Sequence, residues 1–218
     1  MTTPEEPLVT TATVEEVLSA VEATDLDAPW EHVAPKLRLA LPRRRALPVD
    51  IEDLPQREYS PGIRAVLGLD IGPALLFVAR EQLQGWGVTA AEAFEQALDN
   101  VRTAVAERKH FALVHERLAD VPTLAFQSRE GWASSLLLLP HELARVLGER
   151  NGLILAPMRD LVICLPLDVE REFAQWLLDE FAEVDMNALD LPPFALVDGH
   201  LTRAVGVPSA LRRTAPVN

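Results

Sequence analysis

The sequence predicts an α+β fold: a mostly antiparallel sheet of about six or seven strands with helices packed on it, plus an N-terminal helix. Three observations carry that reading. A chain of 218 residues with 49% apolar and 24% charged residues is long enough and apolar enough to bury a core without disulfides or metal. Two segments, near 90–107 and 169–184, repeat apolar residues at the spacing of one helix face. Between and around them stand short apolar runs separated by turn residues, the pattern of strands joined by tight connections. The organisation expected is a disordered lead-in over 1–12, a single α+β domain over 13–207 and a frayed tail over 208–218.

Residues 1–12 are rich in Thr, Pro and Glu and have no period. Thr13 with Glu16 makes a capping box, and Val14, Val17, Leu18 and Val21 follow on one helix face with acidic residues on the other. Leu37, Leu39 and Leu41 alternate with Arg38 and Ala40, as in a strand with one buried face. Arg43-Arg44-Arg45 reads as an anion or acidic-partner site or as a solubilising loop that offsets the acidic segment before it, the loop being favoured because three adjacent arginines carry no geometric specificity. The proline-containing span 46–63 reads as a long extended connection. Ile63 to Leu69 and Ala74 to Val78, separated by Gly72-Pro73, predict a hairpin with Asp70 at its turn.

Thr89 and Glu92 form a second capping box and open the strongest helix, whose stripe is Phe94, Ala97, Leu98, Val101, Ala104 and Val105. Asn100 borders that stripe, so its amide, if buried, needs partners on the sheet beneath. Phe111 to Leu118 and Pro122 to Phe126 predict two strands joined by Ala119-Asp120-Val121. The least charged stretch, Glu130 to Asp168, is the one the rest is arranged around. It holds Gly131-Trp132-Ala133-Ser134-Ser135, a leucine run, a helix from Pro140 to Leu147 ended by Gly148, and strands on either side of Met158-Arg159. Asp168 caps a helix with Val169, Phe173, Trp176, Leu177 and Phe181 on its apolar face and a strongly acidic opposite face. Asp198-Gly199 marks a two-residue hairpin turn.

Several chemical signatures are incomplete. His141-Glu142 begins like a zinc-protease motif, but Arg145 stands where the second imidazole is needed. Gly131 to Ser135 lacks the second glycine of a nucleophile elbow, so a hydrolase built on Ser135, His141 and Asp160 rests on residue types alone. The five histidines show no pair at ligand spacing, and Gly85-Trp86-Gly87 lacks the rest of a dinucleotide fingerprint; Trp86 reads as a core plug. No metal or other cofactor is expected. Cys164, the one cysteine, sits in an apolar strand run and excludes an internal disulfide. A net charge of −13 repels phosphate backbones, which argues against nucleic acid and for a neutral or basic protein partner. Apolar runs are too short to span a bilayer and the first residues lack a signal's positive charge, so no membrane association and a cytoplasmic location are expected.

Four features together resemble the bacterial family called domain of unknown function 1444, the YtpQ-like proteins. They are the strand ending Leu69-Asp70, Trp86 with the capped helix through Ala97-Leu98-Asp99-Asn100-Val101, Gly131 to Leu137, and Pro157-Met158-Arg159-Asp160-Leu161-Val162. The ending Phe194 to Leu201 is similar to the family's last hairpin, and the likeness runs from about residue 30 to residue 207. Where the family commonly has an acidic residue before its serine, this chain has Ala133. The resemblance implies a bacterial protein but no established activity.

The candidate site residues are Asp70, Asn100, Trp132, Ser135, Arg159 and Asp160. The leading expectation is a non-catalytic protein-interaction domain that uses its acidic surface or a groove near Trp132 and Arg159. The alternative is a small-ligand-binding protein or enzyme with a pocket gathering Asp70, Asn100, Ser135, Arg159 and Asp160, the two ends of Arg159-Asp160 serving otherwise as a structural pair at a strand connection. A narrower variant is an acidic immunity or antitoxin protein that neutralises a basic toxin.

Overall fold

Every strand pairing among the described residues is antiparallel, and short turns join five of the eight pairs. The computed structural model describes residues 13–41, 54–59, 62–107, 111–128, 131–184 and 188–204. The arginine triplet 43–45, His110, Glu130, the first 12 residues and the segment 208–218 lie outside them. The fold is α+β, and its strands divide between two sheets.

The first sheet contains β1 (Leu37–Ala40), β2 (Gln56–Tyr59), β3 (Ile63–Asp70) and β4 (Leu75–Phe77), all gathered on β3. Alternation decides its faces. Leu37 and Leu39 stand opposite Leu69 and Leu67 in the buried core, whereas Arg38, opposite Gly68, turns to the other face with Asp70. Strand β2 lies within the span expected to be an extended connection. Its residues Gln56-Arg57-Glu58-Tyr59 carry no apolar alternation, and pairing with β3 is what makes them a strand.

Helix α4 (Ala90–Ala106) covers this sheet with Phe94, Ala97, Leu98, Val101 and Val105. Both halves of its capping box form: Glu92 N donates to Thr89 Oγ1 at 3.2 Å and Thr89 N donates to Glu92 Oε2 at 2.8 Å. That backbone bond holds the Glu92 carboxyl below the usual carboxylate range. The same box opens α1 (Val14–Ala23) between Thr13 and Glu16, but α1 buries none of its side chains, and Val14 and Leu18 are 76% and 57% exposed. Trp86, after α3 (Arg80–Gly85), plugs the gap beside the short α2 (Trp30–Val33): it donates Nε1 to Leu26 O at 2.9 Å and packs on Trp30.

The second sheet has six strands in the order β10-β9-β7-β8-β6-β5. These are β5 (Phe111–Leu118), β6 (Val121–Ser128), β7 (Gly152–Met158), β8 (Leu161–Leu165), β9 (Phe194–Val197) and β10 (His200–Arg203). One face, with Leu155, Ile163 and Leu165, packs under Ala174, Leu177 and Leu178 of α6 (Arg171–Val184). The other face, with Phe126, Ile154, Val162 and Phe194, joins the core of the first sheet. A 3₁₀ helix, Ala133–Leu138, and α5 (Pro140–Val146) fill the space between, and every residue of the 3₁₀ helix is buried. The leucine run of the central stretch is thus a wedge shared by both sheets.

Two-residue turns close β9–β10 and β5–β6. Asp198-Gly199 has φ of 50° and 76°, as the dipeptide predicts, while β5 and β6 turn on Ala119 and Asp120 with φ of 46° and 66°. Alanine in that region is strained because its Cβ crowds the following carbonyl. Replacing Ala119 by Gly should therefore raise the unfolding free energy by about 1 kcal/mol, read from urea denaturation; an unchanged or lower midpoint would show that the turn is not strained.

Cys164 is buried in β8, and burial pushes its thiol up from the ordinary 9.0 to about 11. Its thiol should react with a disulfide reagent at pH 8 only as fast as the protein opens. The unfolded thiol ionises near pH 9 and the folded one near pH 11, so the folded state holds the extra proton and stability falls between those values. Cys164→Ala should flatten that part of the stability profile, and an unaltered profile would contradict the assignment.

Candidate functional site

The site is built on hydrogen bonds around irregular backbone. Ser128, fully buried at the end of β6, accepts from Trp132 N and Ala133 N through Oγ, both at 2.9 Å. Its own amide donates to Asp160 O at 2.9 Å, and Ser134 N donates to Arg159 O at 3.0 Å. One serine thus fastens the wedge to β6, and the β7–β8 turn is fastened to both. Ser135 Oγ completes the frame by donating to Leu39 O of β1 at 3.1 Å, across to the other sheet.

Against this frame lies the Arg159 side chain. Gly131 has φ of +67°, and a Cβ added there would come within 2.5 Å of Arg159 Nε and 2.8 Å of one terminal nitrogen. The positive φ favours glycine, and a Cβ there would push the guanidinium from its place. Arg159 and Gly131 line a cavity of about 340 Å³ together with Arg38, Asp70, Gly72, Ala74 and Leu75. Asp70 ends β3 there, accepts from Gly72 N at 3.0 Å and pairs with Arg38 at 3.5 Å. The two partners come together because strand alternation puts Arg38 and Asp70 on the face away from the leucines.

That pair is neutral in sum. Arg159 has no carboxylate or carbonyl partner for its guanidinium among the described residues, so the cavity carries one uncompensated positive charge in a chain of net charge −13. A concave site of one net sign concentrates counter-ions more than the same charge on a flat surface does.

Of the six predicted site residues, the structure brings two to this cavity, Asp70 and Arg159. Asn100 is not there. Its amide donates to Ala34 O at 2.8 Å and Leu37 O at 3.0 Å and accepts from Gln96 at 2.9 Å, so it ties α4 to the entry of β1. Ser135 is fully buried and spends its hydroxyl on Leu39, which removes both the ligand role and a Ser135, His141 and Asp160 hydrolase. Trp132 is 1% exposed, packed edge-on to Phe111 and tilted against Phe126, so it cannot line a surface groove. Asp160 is half-buried in the β7–β8 turn and is not among the residues lining the cavity.

Three contributors escaped the sequence reading. Arg38 was visible as the polar member of an alternating strand, and Gly131 as a glycine in a tight motif, but their convergence was not. Ser128 gives no local signal, because its role depends on amides four and five residues later. The structure also places the His141 and His200 rings 5.7 Å apart, although they are 59 residues apart in sequence. Among the described residues, no three His, Cys, Asp or Glu side chains gather in a group that could hold a metal ion. Nor, among those residues, is any helix long and apolar enough to cross a membrane.

Comparison with known proteins finds no match to any family model, curated protein or solved structure.

Replacing Ser128 by Ala leaves two buried amides without their acceptor and should lower the unfolding free energy by about 1–3 kcal/mol, measured by urea denaturation. A loss below about 0.5 kcal/mol would mean that the wedge does not depend on this hydroxyl.

Proposed function

We propose that this protein binds a small anion, a carboxylate or phosphate group, in the cavity at Arg159. The observation that carries the proposal is a guanidinium seated on Gly131 with no counter-ion among the described residues, beside a cation–anion pair that already neutralises itself. Guanidinium presents a planar fork that matches the two oxygens of a carboxylate or phosphate, and such charge-assisted bonds are stronger than neutral ones. A volume of about 340 Å³ suits a ligand of few heavy atoms. The role proposed for Arg159 is recognition of the anion, with the Arg38–Asp70 pair lining the same cavity.

The resemblance to the YtpQ-like family belongs to the same proposal. Three of its four motif segments each give the cavity a residue: Asp70, Gly131 and Arg159. A cytoplasmic setting, where small carboxylates and phosphates are abundant, is part of it as well.

A second reading rests on α6. Trp176 is 50% exposed beside Phe173, among the four carboxylates of Glu172, Asp179, Glu180 and Glu183 and one cation, Arg171. An aromatic anchor ringed by carboxylates suits a basic protein partner, including the toxin of an immunity pair. Salt-sensitive association with such a partner, abolished in Trp176→Ala, tests it; binding that survives the substitution would remove this face from consideration.

For the cavity, titration calorimetry with inorganic phosphate and with succinate should give saturable one-site binding to the intact protein. Arg159→Gln should weaken it at least tenfold, about 1.4 kcal/mol, since a hydrogen bond between charged groups contributes roughly that much or more. Gly131→Ala should weaken it too by displacing the guanidinium, while Trp132→Phe should leave affinity unchanged. Equal binding by wild type and Arg159→Gln would sink the proposal.

A further inference from the structure

The outer edge of the six-stranded sheet is built in a way that matches itself. Strand β5 is eight residues long and terminal, with β6 its one neighbour among the described residues. Its register with β6 runs unbroken from Phe111 opposite Ser128 to Leu118 opposite Val121, with no bulge, and β5 contains no proline. Bulges, prolines and short length are devices that keep an edge strand from pairing with another chain, beside charged side chains, of which β5 has Glu116 and Arg117. The first three are missing here. Leu113 and Val114, at the middle of the strand, are 40% and 37% exposed.

Hydrogen-bond parity sharpens the point. The two-residue turn at Ala119-Asp120 closes on Leu118 and Val121, the pair that exchanges both bonds, so Leu118, Glu116, Val114 and Ala112 direct their backbone groups to β6. Phe111, Leu113, His115 and Arg117 direct theirs outward. Those four positions are symmetric about Val114.

We propose that β5 pairs antiparallel with β5 of a second copy of this chain, with the twofold axis at Val114, so that two six-stranded sheets become one. In that register Leu113 exchanges both bonds with His115 of the other copy, and Phe111 does so with Arg117, so every outward backbone group is used. Opposite side chains are then Leu113 with His115, Phe111 with Arg117, Ala112 with Glu116, and Val114 with itself. No like charges face each other, which is the condition for cross-strand pairing to be favourable. The strand's own charges, Glu116 and Arg117, cancel, so the overall −13 does not act at the seam and its long-range repulsion is screened at ordinary salt. A foreign peptide would have to supply this complementarity, whereas a second copy already has it.

The test is sedimentation of the full chain at about 0.15 M salt across a range of concentrations. The intact protein should approach twice the monomer mass. Val114→Glu, which sets two carboxylates face to face at the axis, and His115→Pro, which removes an outward amide and leaves the bonds to β6 alone, should both be monomeric with unchanged circular dichroism. Disulfide trapping gives an independent reading. Two residues at a non-bonded antiparallel pair lie about 4.5 Å apart, so Val114→Cys should cross-link under mild oxidation. Ala112→Cys should not, because its copies are displaced by about 13 Å along the strands. The native Cys164 is buried and adds no background. A monomeric wild type, a dimer that persists in Val114→Glu, or equal cross-linking of the two cysteine variants would overturn the proposal.

Discussion

The two hydrogen bonds that Trp132 and Ala133 donate to Ser128 Oγ make the rest of the structure possible. A chain segment without strand or α-helical ladders can enter a protein interior only if its backbone groups find partners, since each orphaned group costs about as much as a lost hydrogen bond. Here the segment from Trp132 to Leu138 enters fully, between two sheets. Ser128 meets its first two amides, Arg159 O meets the Ser134 amide, and 3₁₀ turns satisfy the amides of Ser135 and Leu139. Once those groups are satisfied, Leu136 and Leu137 can act as the common core of both sheets.

The same anchoring positions the cavity. Because Ser134 N holds Arg159 O and Ser128 N holds Asp160 O, the β7–β8 turn is fixed against the loop that carries Gly131. The guanidinium lies over Gly131, in the space left by the missing Cβ. Arg38 and Asp70 arrive from the other sheet, whose position is set by Ser135 reaching Leu39 and by Asn100 reaching Ala34 and Leu37. Ser135 and Asn100, expected in a ligand pocket, and Trp132, expected at an interaction groove, belong instead to the framework around the cavity.

How much the sequence discloses depends on the range of the interactions concerned. Capping boxes at Thr13 and Thr89 and the stripe from Phe94 to Val105 are local, and they were legible residue by residue. So were the Asp198-Gly199 turn and the alternation of Leu37 and Leu39 about Arg38. Strand β2 was not, because Gln56 to Tyr59 become a strand only through β3, and the α1 stripe predicted an apolar face without telling whether anything covers it. The division into two sheets was illegible for the same reason: it is set by where the wedge lies. At the site, polarity marked Asp70, Asn100, Ser135 and Arg159 alike, yet a polar residue in an apolar stretch serves structure and recognition with the same chemistry. Partner geometry separates them, and that is a property of the folded chain.

The central claim is that Arg159, held on Gly131, receives a small anion. The most direct measurement is nuclear magnetic resonance of the arginine Nε–H groups and backbone amides during titration with inorganic phosphate. Binding at Arg159 should give a saturable shift of its Nε–H signal together with the Gly131 and Gly72 amides, and little change at Trp132 or on α6. A silent Arg159 signal, or shifts spread over exposed arginines that grow linearly with phosphate, would contradict it.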